Sequence, residues 1–192
     1  MSIEHLVDNT HCLLNDKEIA MLCKSEQLIS PMSEQTRTSR GISKGLTPCG
    51  YDIELDDEFM RFEGNTMSIN KNECDGNWIK YSSFKDGSLM LTPGRFILGQ
   101  SKEYFKMPSE IFGICFLKST WVRTGLIISP TTLQPGWEGK ITLEFTNPTS
   151  HNIIMYANEG IANVVFWKIT KPASFYSGLY QKQYKIETAK TN

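Results

Sequence analysis

The feature that narrows the fold most is a series of short apolar segments, evenly punctuated, that fills the second half of the chain. Leu89-Met90-Leu91 runs into Thr92-Pro93-Gly94, and Arg95-Phe96-Ile97-Leu98 follows. Residues 111–116, 125–128, 140–145, 152–156 and 161–167 continue the series. Each is shorter than an ordinary helix and rich in β-branched or aromatic side chains, which suit a pleated surface. Pro93 pre-sets one turn dihedral and Gly94 supplies a positive φ at the next position, so the pair reads as a tight turn. Short strands at intervals of about 8–12 residues, with few helical patterns among them, predict an all-β sandwich or barrel.

The first half carries one helix signal. Asn15 or Asp16 can cap the stretch 17–23, where Ile19, Ala20, Leu22 and Cys23 recur at helical spacing. Beyond Pro31, residues 33–44 are polar and rich in Ser, Thr and Arg, the composition of a loop or mobile arm. Tyr51-Asp52-Ile53-Glu54-Leu55 alternates apolar and polar as a strand does, and residues 65–85 read as a loop-rich insertion between strands. From Pro172 onward the aromatics Phe175, Tyr176, Tyr180 and Tyr184 stand out, with little else apolar, on a polar, Gly-containing segment suited to a lid over a ligand, which predicts an extended arm or lid at 172–192 beside a single domain at 1–171. No repeat of fixed period is visible.

A chain of 192 residues fits one domain and can bury roughly 70% of the surface its unfolded form exposes. Twenty Lys and Arg against 21 Asp and Glu leave a net charge of -1. Nucleic-acid binding is therefore not expected, because it needs a surplus of cations to displace counterions. The longest apolar run, residues 111–117, is far short of a membrane span. The first residues carry acids where a leader peptide has bases, so a soluble, cytoplasmic protein is expected. Cys12, Cys23, Cys49, Cys74 and Cys115 form no C-x-x-C pair, and His5, His11 and His151 form no pair at ligand spacing. Neither a disulfide framework nor a zinc site is expected.

Two groups of polar residues stand where a β-core has no use for them. Lys118-Ser119-Thr120 directly follows an apolar run, with Arg123 close behind. In a turn or short helix their amides, hydroxyls and cations converge in a way that suits an anion; a solvated strand-to-helix junction with Ser/Thr capping accounts for them equally. Glu144 shares the more polar face of its strand with Thr142. If that face meets solvent, Glu144 is an ordinary surface acid; if it lines a closed site, Glu144 is a general-base candidate.

These residues also carry a resemblance. Gly113-Ile114-Cys115, Lys118-Ser119-Thr120-Trp121-Val122-Arg123-Thr124-Gly125 and Leu133-Gln134-Pro135-Gly136-Trp137-Glu138-Gly139-Lys140-Ile141-Thr142-Leu143-Glu144-Phe145 are similar to the core of the deoxycytidine triphosphate (dCTP) deaminases, of one superfamily with the trimeric dUTP pyrophosphatases. Cys49-Gly50-Tyr51-Asp52-Ile53, Leu91-Thr92-Pro93-Gly94, Glu103-Tyr104, Asn158-Glu159-Gly160-Ile161-Ala162 and Tyr180-Gln181-Lys182-Gln183 resemble further family segments in the same order.

The resemblance implies a distorted β-barrel or jelly-roll of the dUTPase-like type, all-β with one or two short helices, assembled as a homotrimer with sites between subunits. It implies Glu144 as general base, drawing a proton from the water that attacks C4 of cytosine, with Arg123 and Ser119 orienting that water. Lys118, Ser119 and Thr120 would hold phosphates, and Tyr176 and Gln183 would cover the nucleotide from a closing tail. Thr131, Thr132, Gln134, Trp137, Thr142, Leu179 and Lys182 complete the implied substrate-binding set. Cytosine would be read partly by backbone groups in residues 128–133 and 140–142. Magnesium would ride on the triphosphate and no zinc would be needed. Zinc-dependent deaminases use a His/Cys-x-Glu and a Pro-Cys-x-x-Cys, and this chain has neither.

Three departures qualify the pattern. Gln134 stands where the pyrophosphatases keep a water-activating Asp, which counts against dUTP hydrolysis, the alternative activity; a catalytically silent nucleotide binder is the other alternative. Leu117 replaces a Gly before the basic residue. In the tail, Leu179 replaces a phosphate-binding Lys and Lys182 a Gly.

Overall fold

The structure, a computed structural model, describes residues 12–83, 86–170 and 174–190. The leader reading, His5 and His11, the last two residues of the 65–85 insertion and the 171/172 boundary fall outside them. In chain order the elements are α1 (Asp16–Glu26), β1 (Ile29–Ser30), β2 (Thr36–Arg37), β3 (Ser43–Thr47), β4 (Gly50–Glu54), β5 (Glu58–Glu63), a 3-10 turn (Lys71–Glu73), β6 (Asn77–Ser82), β7 (Ser88–Leu91), β8 (Phe96–Lys106), β9 (Ile111–Leu117), α2 (Ser119–Val122), β10 (Ile127–Ile128), β11 (Thr131–Leu133), β12 (Glu138–Thr146), β13 (Ile153–Tyr156) and β14 (Gly160–Lys168).

Two antiparallel sheets enclose the core. One runs β10-β12-β8-β5-β6, with β1 also paired to β8; the other runs β11-β9-β14-β4-β3-β2. β7 and β13 form a separate ribbon. Tyr51, Ile53, Leu55, Phe59, Phe105, Phe145 and Phe166 fill the space between, each fully buried. The fold is thus all-β with two short helices, as the punctuated strands predict. Among the described residues no helix is long and apolar enough to cross a membrane, and the five cysteines are free thiols.

Local chemistry explains the element ends. Asn15, rather than Asp16, caps α1: its side chain accepts the Glu18 amide at 3.1 Å, while the Glu18 carboxylate accepts the Asn15 amide at 2.9 Å. That reciprocal pair satisfies two donors that a helix start leaves open. At Thr92-Pro93-Gly94, the Arg95 amide returns to the Thr92 carbonyl at 3.2 Å and Gly94 sits at φ 71, as a Pro-Gly turn requires.

Three stretches differ from expectation. Within 33–44, Thr36 and Arg37 pair with Lys44 and Ser43, so a short edge strand replaces part of the expected loop. Within 65–85, β6 pairs residue for residue with β5 from Glu58↔Ser82 to Glu63↔Asn77; the two exposed residues between Trp78 and Tyr81 break the alternation that would have marked it. β4 alternates in sequence, yet its first four residues are all buried, because it lies between β3 and β14.

Candidate active site

β12 presents alternate residues to two environments: Ile141, Leu143 and Phe145 face the core, and Thr142 and Glu144 the other side. This alternation runs unbroken through a shift in the β8–β12 register, whose extra residues lie on β8. The shift falls between Lys140 and Thr142, where the Ser101 hydroxyl accepts the Ile141 amide at 2.8 Å and donates to the Glu103 carbonyl at 2.7 Å. Thr142 and Glu144 then line a cavity of about 1290 Å³ together with Thr131, Thr132, Leu133, Gln134, Trp137, Tyr176, Tyr180 and Gln183. Of the two open readings of Glu144, the cavity-lining one describes the fold.

Glu144 is held in an apolar setting. Leu98 stands directly opposite it on β8 and also lines the cavity. Its Oε2 is buried and makes no hydrogen bond among the described residues. Burial disfavours the anion and pushes the Glu144 carboxyl above its ordinary range, with a backbone hydrogen bond opposing in part.

The tail forms one wall. Lys140 donates its amide to the Gln183 carbonyl at 2.8 Å, and Gln183 Nε2 donates to the Lys140 carbonyl at 2.7 Å. Trp137 Nε1 donates to the Tyr180 carbonyl at 2.8 Å, and the Tyr180 amide donates to the Tyr176 hydroxyl at 3.2 Å. Gly139 makes this close docking possible: a Cβ there would lie 2.7 Å from Gln183 Cγ, and its φ of 155 is one that side chains rarely allow. Gln183 Oε1 is buried on the cavity wall and has no hydrogen-bond partner among the described residues. The expected extended arm is therefore docked on its own barrel along residues 176–187. Leu179 and Lys182 do not line the cavity; Lys182 Nζ stands 3.5 Å from Glu138.

The second half of the implied set lies elsewhere. α2 is seated by the buried Trp121, whose Nε1 donates to the Gly160 carbonyl at 2.9 Å. Ser119, Thr120 and Arg123 on it are exposed, and with Lys118 they are absent from the Glu144 cavity wall. One chain thus brings together Glu144, Thr131, Thr132, Gln134, Trp137, Thr142, Tyr176 and Gln183, and leaves Lys118, Ser119, Thr120 and Arg123 apart. Lys118 Nζ is engaged with the buried Asp52 and with Ser43 Oγ at 2.8 Å. Sequence reasoning missed two parts of these surroundings: Asp52 as that partner, and an aromatic margin of Phe62, Trp78 and Phe96. A carboxylate inside a strand flanked by Tyr51 and Ile53 was the available signal for the first. Among the described residues no three His, Cys, Asp or Glu side chains form a possible metal ligand set.

A family model described as dCTP deaminase-like matches residues 13–169. The chain belongs to the dCTP deaminase-like family. A dCTP deaminase from Helicobacter pylori (strain G27) is 40% identical over 152 residues, covering 79% of this chain and 81% of the relative. One from Coxiella burnetii (strain Dugway 5J108-111) is 38% identical over 157 residues, covering 79% and 82%. The crystal structure of 2'-deoxycytidine 5'-triphosphate deaminase from Agrobacterium tumefaciens superimposes with a TM-score of 0.62 at 17% identity, over 83% of this chain. This family member spans about half, 49%, of that Agrobacterium chain, and the likeness is one of fold.

Proposed function

We propose that this chain is a hydrolase that deaminates dCTP to dUTP and ammonia, with Glu144 as general base. The observation that carries the reading is the Glu144 carboxyl on the cavity wall, whose Oε2 is buried and has no hydrogen-bond partner among the described residues, in a chain 40% identical to a protein named dCTP deaminase. Glu144 takes a proton from water as its oxygen bonds to C4. That proton passes to the departing amino nitrogen, the C4–N bond breaks as ammonia leaves, and the second proton of the water ends on N3, leaving the carbonyl of uracil. A carboxylate within hydrogen-bond reach supplies about 10²–10⁴ in rate, and a guanidinium aimed at the developing charge adds an electrostatic contribution.

Arg123 and Ser119 come to this site from a second copy of the chain, in a homotrimer, which accounts for their position away from the Glu144 cavity. Lys140 and Gln183 join tail to barrel, so residues 172–192 act as a lid on a domain spanning 1–171. Magnesium arrives as part of the triphosphate substrate. The reaction belongs to deoxyuridine nucleotide supply in the cytoplasm. Incubation of the purified protein with dCTP and magnesium tests the reading: ammonia and dUTP in equal amounts support it. Pyrophosphate release from dUTP, or binding without turnover, overturns it.

A further inference from the structure

β12 is held least regularly at the point where the tail docks on it. Three β8 residues, 101–103, stand opposite Ile141 alone, so the ladder between β8 and β12 lapses between Lys140 and Thr142. Side chains take over there. The Ser101 hydroxyl accepts the Ile141 amide, and Lys140 Nζ donates to Asp56 Oδ2 at 2.7 Å. Gln100 Nε2 donates to the same oxygen at 2.9 Å, and the Asp56 amide returns to the Gln100 carbonyl at 3.0 Å. Asp56, in the corner between β4 and β5, thus ties β12 to β8 across the gap.

The Lys140 and Asp56 side chains are 24% and 19% exposed, a depth at which water and salt screen a pair only in part. Burial works to raise the Asp56 carboxyl, but hydrogen bonds from Lys140 and from the Asp57 amide outweigh it and hold the group below its ordinary range. Gln100 is committed as well: its Oε1 is buried with no hydrogen-bond partner among the described residues, while its Nε2 serves Asp56.

Lys140 carries the tail on its main chain. Its amide and carbonyl both meet Gln183, and the Lys182 amide donates to the Glu138 carbonyl at 2.9 Å. Opposite Lys140 on β8 stands Tyr104, stacked on Tyr184 with ring centroids 5.1 Å apart. Tail residues 182–184 therefore rest on the stretch of strand that Asp56 steadies, and Thr142 and Glu144 follow on the same strand.

We propose that Asp56 and Lys140 form a positioning pair, which fixes β12 where its ladder lapses and so sets how firmly the tail docks beside Glu144. Neither residue lines the cavity, so the pair acts through the tail rather than on the nucleotide. The kinetic consequence rests on the deaminase reading, but the docking can be measured without turnover.

In the full-length protein, hydrogen exchange of the amides at positions 140 and 182 is compared among wild type, Lys140→Met, Asp56→Ala, the double variant and Lys140→Arg. Urea curves account for global unfolding. Exchange at both positions should quicken about fivefold or more in the three variants that break the pair. It should quicken less in Lys140→Arg, which keeps a cation within reach of Asp56. In an active enzyme, KM for dCTP should rise about fivefold or more while kcat moves less than about twofold, the split expected when a binding wall loosens and the base is untouched. The double variant should be no worse than the poorer single one, because the two side chains act as a unit.

The double variant leaves neither charge without its partner and remains assayable if a single variant is too unstable. Unchanged exchange at positions 140 and 182 in the double variant overturns the proposal whatever the kinetics. So does a raised KM in Lys140→Met with Asp56→Ala silent, because Lys140 would then act alone on the substrate. A fall in kcat at constant KM overturns it too. A wild type that releases no ammonia rejects the deaminase reading alone, and the exchange measurement then decides the pair.

Discussion

Glu144 and Leu98 stand directly opposite each other in the β8–β12 ladder, so the carboxyl proposed as the base is set against hydrocarbon. With Oε2 buried and unpartnered, the neutral acid is favoured and proton affinity rises. Glu144→Gln keeps the shape and removes the proton acceptor, so deamination should fall below a tenth of wild type while dCTP binding stays within a few-fold. The acid limb of kcat/KM should lie above the ordinary carboxyl value of 4.5, with activity lost as pH falls through it. A variant keeping more than a tenth of the rate removes Glu144 from the mechanism.

Glu144 lies on the cavity wall whereas Arg123 lies exposed beyond α2, and the proposed site takes one from each of two copies of the chain. Arg123→Ala and Glu144→Gln should each be inactive alone. Mixed under subunit exchange, they should regain a measurable fraction of wild-type activity, since some sites then carry both intact residues. Silence in demonstrably mixed oligomers would assign both residues to one chain.

What the sequence disclosed, and what it hid, follows from the range of the forces involved. Turns and caps depend on residues a few positions apart, so the Pro93-Gly94 turn and a helix cap at Asn15 or Asp16 could be read directly. The alternation that puts Thr142 beside Glu144 was equally visible, but whether that face met solvent depended on Trp137, Gln183 and Leu98 folding around it. β6 was hidden because the two exposed residues between Trp78 and Tyr81 interrupt its alternation. The docking of the tail was hidden because Lys140, Gln183, Trp137 and Tyr180 meet mainly through main-chain carbonyls, which any sequence supplies. Asp52 and Lys118 are distant in sequence, and no local pattern announces such a pair.

The metal requirement separates water activation from substrate charge. If Glu144 rather than a bound zinc activates water, a zinc-selective chelator at saturating magnesium should leave the rate unchanged. Withdrawing magnesium should raise KM for the triphosphate, because its charge is then unscreened. Inhibition by the zinc chelator under those conditions would overturn the carboxylate mechanism.

The tail lines the cavity through Tyr176, Tyr180, Gln183, Glu187, Thr188 and Ala189, while Leu179 and Lys182 lie off it. Ending the chain after Phe175 removes all six wall residues and should raise KM for dCTP about tenfold or more. It also frees the Trp137 indole from the Tyr180 carbonyl, so a red-shifted tryptophan emission should accompany the kinetic loss. Leu179→Lys and Lys182→Ala, by contrast, should each move KM less than threefold. A tenfold effect of either would mean that the phosphates reach the outer side of the tail.

Glu103 gives the fold a pH-dependent stability that is independent of catalysis. Its carboxylate is buried between β4 and β8, with both oxygens accepting the Glu54 amide at 3.1–3.2 Å. Burial raises its pKa from 4.5 to about 7; its own backbone and the Glu54 amide pull it down, the Glu54 charge adds to the rise and Lys102 opposes it. Below 4.5 the acid is protonated in both folded and unfolded chains, and Glu103 makes stability no function of pH. Between 4.5 and about 7 the unfolded chain gives up the proton while the folded one keeps it, so stability falls as pH rises, and it levels off above. The full loss is about 3 kcal/mol, at about 1.4 kcal/mol for each pH unit. Glu103→Gln retains an oxygen for the Glu54 amide and has no charge to bury, so its urea-derived stability should decline less than that of wild type between pH 5 and pH 8. At pH 8 the variant should be the more stable of the two. Parallel curves for the two proteins across that range would show that Glu103 titrates normally in the fold.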